Sequence, residues 1–408
     1  MELVYEMVKT IFMALSVFEI YLLVKIFQTC SYKIYNALYI TQTMKKYFLF
    51  FQLIPLFTFA QTDAIDQLLE DKINMESENP VHHILLSIKS PSFEYHKAFG
   101  TPSSGHIKES RFRIASSTKL FVSTIVLQLA EEKKLHLKDK TSQYLKDLQG
   151  VQFEELHIYQ GKSYSNDITI EQLLSHRSGL ADIFSDKEEA FFNLLLANPQ
   201  KQYSPQSILA LYYQLGLNKA PHFTPNKGWY YSDMNYVLLG LIIEQIQEAT
   251  LANVIRKRIL EPLSMKDTFF EFYEPAPQPY PSINQYVGTI NFSEINTSFD
   301  WSGGGLVSTN KDLSIFIKAL FNQELINKKS LKKMTNVKFT KENENRYGLG
   351  MDESTYNGNI YYGHYGFYGT YIGYSPKSKT VISYCISQAT PSFSVYKMIN
   401  EVLELLSE

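Results

Sequence analysis

The sequence predicts an α/β (α+β) fold: an antiparallel sheet flanked by helices, with a helical lobe inserted in the middle of the chain. Three observations predict it. Strand-like segments at 84–89 and 93–99 flank a turn at Ser90-Pro91-Ser92. Further strand-like segments follow Gly303, ending in a hairpin over 369–387. Between these, residues 140–300 are mostly helical in pattern, broken by loops. Strands at both ends with helices between them imply one sheet built from both ends. The site is then expected where sheet and insertion meet.

Taken in order, residues 1–43 read as an N-terminal extension. Thr10–Val24 is apolar apart from Glu19, with Lys9 and Lys25 at its flanks. It is either sequence ahead of a true start at Met44 or a weak membrane segment. Residues 44–60 have the layout of a secretory signal peptide: Lys45-Lys46, an apolar run from Tyr47 to Phe59, and Ala60 before the cut. That run is shorter than the roughly 20 residues a membrane-spanning helix needs. The expectation is export to the periplasm or the extracellular space, with any membrane contact made through the N-terminal segment.

Residues 62–408 are expected to form one domain. Asp63–Met75 reads as a helix with Ile65, Leu68, Leu69 and Ile73 on one side. Ser117–Lys134 reads as a helix with a broad apolar face, and Tyr236–Ala249 as another. Tyr273–Pro281 carries four prolines and is expected to be extended loop. Lys311–Leu320 is a further helix, with Asp312 in its first turn, where the dipole favours a carboxylate. Phe393–Leu406 is a closing amphipathic helix.

Composition narrows the function. The 408 residues are 45% hydrophobic and 20% charged, with a net charge of -2, so no basic surface points to nucleic acid. The two cysteines, Cys30 and Cys385, make neither a disulfide scaffold nor a zinc site.

Chemistry is concentrated in a few short segments. S-x-x-K occurs at Ser116, Ser308, Ser330 and Ser394. Only Ser116 follows the apolar-leaning Phe112-Arg113-Ile114-Ala115 and opens a strongly apolar helix. There, backbone N–H groups and the helix dipole can meet an oxyanion. Lys119, one turn on, shares its helix face, and a lysine shielded from water can act as a base for a weak nucleophile such as serine. Tyr231-Ser232-Asp233 offers a phenol that can hold or pass a proton. His364-Tyr365-Gly366 offers an edge strand whose glycine lets backbone approach a ligand. Each also has an ordinary reading: an N-cap serine, a core tyrosine, a surface histidine in a turn. His176, in Leu173-Leu174-Ser175-His176-Arg177-Ser178-Gly179, reads as structural, at a helix end with a glycine cap.

Together these segments resemble the serine hydrolases of the class C β-lactamase, D-alanyl-D-alanine carboxypeptidase and esterase group. Tyr231 to Gly240, Glu261-Pro262-Leu263-Ser264-Met265, Gly303-Gly304-Gly305-Leu306-Val307-Ser308-Thr309 and Gly363-His364-Tyr365-Gly366 extend the match over roughly residues 80–400. The resemblance implies a β-lactamase/transpeptidase-like fold. It implies Ser116 as the acylated nucleophile, Lys119 as its base and Tyr231 as the partner in proton transfer. The backbone N–H groups of Ser116 and Phe367 would form the oxyanion hole. Asp233, His364 and Gly366 would contact substrate. No metal or organic cofactor and no obligate protein partner is implied, and the ligand would be a small molecule or peptide.

Two departures matter. Asp233 stands where the group often has asparagine, and His364 where β-lactamases and many carboxypeptidases carry lysine. A histidine of ordinary pKa is mostly neutral at pH 7, so a fixed cation for a substrate carboxylate is lost. The expectation is an exported serine hydrolase acting on an amide or ester. The alternatives are a β-lactamase or, in another class, a non-catalytic binding or sensor protein on the same fold.

Overall fold

The structure is a computed structural model that describes residues 62–100, 108–277, 281–339 and 346–407. The expected extension, the expected signal peptide and Cys30 lie outside the described residues. Helix α1 spans 62–74 and buries Ile65 and Leu69, as its spacing predicts. β1 (His83–Lys89) and β2 (Glu94–Gly100) form a hairpin, in which Ser90 N–H donates to Phe93 O at 2.9 Å. β3 (Phe112–Arg113), β4 (Phe269–Phe270) and β5 (Leu306–Ser308) make a small second sheet in the order β3-β5-β4.

The C-terminal run supplies β6 (Lys338–Phe339), β7 (Arg346–Tyr347), β8 (Asp352–Tyr356), β9 (Asn359–Gly366), β10 (Thr370–Ser375) and β11 (Thr380–Ile386). These join the first hairpin in the order β6-β7-β8-β9-β10-β11-β1-β2. Every pair is antiparallel, and β1 closes on β11 with Leu85 opposite Cys385. The sheet is therefore built from both ends of the domain. β9 is not the outer edge the sequence suggests: β8 covers it from Asn359 to Gly363 and leaves only its last residues uncovered by that strand.

The alternation of β1 splits the core. Leu85 faces the helical side, while Ile84, Leu86 and Ile88 pack with α1 and the closing helix on the other face. On the helical side lie α2 (Thr118–Glu131), α3 (Ile170–Leu174), α4 (Met234–Gln247) and α5 (Asn310–Phe321). Eleven of the 14 residues of α2 are buried, so it is a central helix rather than a one-faced one. It is entered through a 3₁₀ turn, Ala115–Ser117, which shortens the expected helix at its start. Asp312 does more than face the dipole of α5. It is buried and accepts from Asp267 N at 3.0 Å and Thr268 Oγ1 at 2.9 Å, tying α5 to β4. α6 (Val395–Leu405) closes the chain, capped by Ser394. No single helix among the described residues is long and apolar enough to cross a membrane.

Candidate active site

The site sits where α2 begins, between the helical side and the C-terminal end of β9. Ala115 turns the chain with φ +44, a left-handed conformation uncommon for alanine. Ser116 follows, half-buried, and Lys119 stands one turn on with a fully buried side chain. Lys119 Nζ donates to Ser116 Oγ at 3.0 Å, to Asp233 Oδ1 at 2.6 Å and to the Gly303 carbonyl at 2.9 Å. Those three bonds use all the donors of an ammonium. The other S-x-x-K serines have ordinary roles. Ser308 bonds Thr268, Ser330 is capped by Asn327, and Ser394 caps α6.

Gly303 is a residue that motif reading undervalued. A Cβ there would lie 2.5 Å from Asp233 Oδ1, so only glycine brings this carbonyl to the lysine without moving the carboxylate. The signal was the run Gly303-Gly304-Gly305, seen as family likeness rather than as a wall of the lysine pocket. Asp233, expected to contact substrate, pairs with Lys119 through Oδ1. Its N–H in turn donates to Asp182 Oδ1 at 2.7 Å.

Tyr231 lies beside this pair, with Lys119 Nζ 4.9 Å from its ring centre. Its hydroxyl is buried and has no well-formed hydrogen bond among the described residues, although nearby Ser116 slightly offsets its pKa rise. Burial, then the Asp233 carboxylate, pushes that pKa well above the ordinary phenol value, so the group is a proton donor at neutral pH. His176 stacks on it, with centroids 4.2 Å apart, and its Nδ1 accepts from Ser232 N and Asn235 Nδ2, both at 3.1 Å. It is structural, as expected, but the left-handed residue that ends α3 is His176 itself, at φ +55, ahead of Gly179.

β9 brings the last segment in. Ser117 Oγ donates to His364 O at 3.0 Å, and Thr370 Oγ1 to Ile114 O at 3.1 Å. A Cβ on Gly366 would lie 2.2 Å from Ile114 O, so this glycine lets β9 approach the turn before α2, and it also borders the cavity beside Ser116. Ser116 and Phe367, the residues expected to supply oxyanion-hole N–H groups, both line a cavity of about 570 Å³.

His364 lines that cavity too, but not as a free, titrating ring. It is 2% exposed, Nδ1 donates to Tyr365 O at 2.6 Å, and Nε2 accepts from Tyr347 OH at 3.0 Å. Burial, then Lys119, pushes its pKa down to about 3. The ordinary histidine pKa expected from the sequence is corrected downward, because both nitrogens are engaged and the ring is buried; the ring stays uncharged and offers no fixed cation. Sequence reading also missed Tyr347, Trp229 and Asp352, which line the same cavity. Trp229 stands two residues before Tyr231 and could have been read with it, whereas Tyr347 and Asp352 are brought in only by the register of the sheet. Among the described residues no cluster of His, Cys, Asp or Glu could hold a metal ion.

Comparison with known proteins agrees with this architecture. A family model described as Beta-lactamase matches residues 93–406, and the chain belongs to that family. It is 24% identical over 325 residues to the putative penicillin-binding protein PbpX of Bacillus subtilis, covering 76% of this chain and 72% of that one. It is 31% identical over 163 residues to Protein flp of Staphylococcus aureus, a match covering 40% of this chain but only 28% of the staphylococcal protein. Among solved structures, the D-amino acid amidase of Ochrobactrum anthropi SV3, complexed with L-phenylalanine amide, superposes with a TM-score of 0.70 at 24% identity. That match covers 85% of this chain and 99% of the amidase.

Proposed function

We propose that the protein is a serine hydrolase that forms an acyl-enzyme on Ser116. The observation that carries this reading is the fully buried Lys119 with its Nζ 3.0 Å from Ser116 Oγ. In the reactive state Lys119, as the free amine, takes the hydroxyl proton while Oγ bonds to the substrate carbonyl carbon. The ammonium that results is stabilised by Asp233, 2.6 Å away, much as a buried aspartate stabilises an imidazolium in a Ser-His-Asp triad. Tyr231, held protonated, passes a proton to the departing amine or alcohol as the carbonyl–leaving-group bond breaks, and recovers one from Lys119. Water then attacks the acyl-enzyme by the reverse sequence. The backbone N–H groups of Ser116 and Phe367 take the oxyanion.

The neutral, buried His364 favours substrates without a carboxylate at that position, so amides and esters rank ahead of β-lactams. A β-lactam reading stays in second place because PbpX is named a putative penicillin-binding protein. A non-catalytic sensor reading has no support from the Lys119–Ser116 contact. The test is labelling with a serine-directed fluorophosphonate beside a fluorescent penicillin, on wild type and Ser116→Ala. Fluorophosphonate labelling lost in Ser116→Ala is expected. A wild type inert to every probe would point to the sensor reading.

A further inference from the structure

The cavity that Ser116 lines also carries a carboxyl group, that of Asp352. Asp352 opens β8, in register with Gly363 of β9 and Tyr347 of β7. Its side chain keeps 22% of its surface and lines the same cavity as Ser116, Tyr231 and His364. A carboxylate in such a place is costly unless donors or a cation meet it.

What the protein offers is thin. The Tyr365 N–H draws the carboxylate's pKa down somewhat, and Lys119 does so from further away. Burial outweighs both and pushes it up to about 7. The nearest ring nitrogen, His364 Nδ1, is 3.8 Å away and gives its proton to the Tyr365 carbonyl. Lys119 is committed to Asp233. Among the described residues, no lysine or arginine forms an ion pair with Asp352. Its neighbours Tyr231, Tyr347 and Tyr365 are neutral phenols, each with a pKa raised by burial. This part of the cavity wall thus holds a buried acid with a pKa pushed up to about 7 and no lysine or arginine paired with it, so a ligand cation is what would hold it ionised.

We propose that Asp352 receives the ammonium group of the substrate, so that the acyl donor is an amide or ester of an amino acid with a free amine close to the scissile carbonyl. This rests on the acyl-enzyme reading above. The spacing supports it. The carboxylate sits by the Tyr365 N–H, two residues from Phe367, which lies in the turn just after β9 and whose N–H is expected in the oxyanion hole, so the two N–H groups are at most about 7 Å of backbone apart. An α- or β-aminoacyl group spans that interval with one hydrogen bond at each end. Trp229 and the partly exposed rings of Tyr365 and Phe367 add aromatic surface for a cation and an apolar side chain. A substrate carboxylate at the same place would meet repulsion.

The test compares phenylalanine p-nitroanilide, each enantiomer, with 3-phenylpropanoyl p-nitroanilide, which lacks only the amine. Wild type, Asp352→Asn and Asp352→Ser are assayed, with thermal melts showing that each variant is folded. Wild type is expected to favour an amine substrate at least tenfold in kcat/KM, and that ratio is expected to fall towards one in both variants. A wild type without the preference, or a preference that survives both substitutions, overturns the proposal. Fluorophosphonate labelling of wild type is run alongside. If Ser116 labels but the ratio ignores Asp352, only the ammonium assignment falls. If Ser116 neither labels nor turns over any substrate, the acyl-enzyme reading falls and takes this one with it.

Discussion

The two walls of the cavity are built on opposite principles. On the α2 side every strong group is matched: Lys119 has three acceptors, and Asp233 both pairs with it and is anchored by Asp182. Elsewhere in the cavity lining, Asp352 has no lysine or arginine paired with it, and the Trp229 Nε1 is buried without a partner among the described residues. The matched wall holds Ser116, the proposed nucleophile, in one geometry. The unmatched wall stores unmet polar interactions, the arrangement by which a site gains from a ligand what it lacks alone.

The contrast can be broken hardest from the matched side. Ser116→Ala is expected to remove hydrolysis by several orders of magnitude, read as kcat/KM on any turned-over ester. Lys119→Met is expected to cost activity on the order of 10³-fold or more. It should also cost about 3–5 kcal/mol of stability, because the Asp233 carboxylate loses its buried partner. Urea unfolding read beside the activity assay checks both. A stable variant with unchanged stability would show that the pair is not the strut described here.

On the unmatched side the sign reverses. Burial raises the Asp352 pKa from 3.8 to about 7. Between those values the unfolded chain ionises this group while the folded chain keeps its proton, so its contribution to stability falls as pH rises from about 4 to 7. Asp352→Asn is therefore expected to raise Tm above pH 7, by roughly 1–3 kcal/mol or a few degrees, and to change little near pH 4. Melts across that range decide it. Asp300, partly buried and likewise pushed up to about 7 by loss of hydration, contributes in the same direction and serves as a comparison. The smallest effect belongs to the turn. Ala115→Gly should relieve a left-handed alanine and stabilise by at most about 1 kcal/mol, measured by the same melts.

These two walls were not equally legible in the sequence. Ser116, Lys119, Tyr231 and the Gly303 run stand in local motifs whose spacing implies proximity, and the sheet from both ends follows from where strand-like segments fall. Asp352 and Tyr347 meet His364 only through strand register, and a one-residue slip would send them to the other face. Two glycines were read as freedom beside a ligand or as family likeness. In the fold, Gly366 makes room for Ile114 O, and Gly303 for the Asp233 carboxylate. His364 looked like a near-neutral titrating group because its burial beneath Tyr347 is invisible in one dimension.

The central claim is the covalent step. Intact-mass analysis after incubation with a slow ester or the fluorophosphonate, followed by peptide mapping, tests it most directly. One adduct on Ser116, absent from Ser116→Ala and strongly slowed in Lys119→Met, is the predicted result. An adduct on Ser308, Ser330 or Ser394, or one that forms equally well without Lys119, would contradict it.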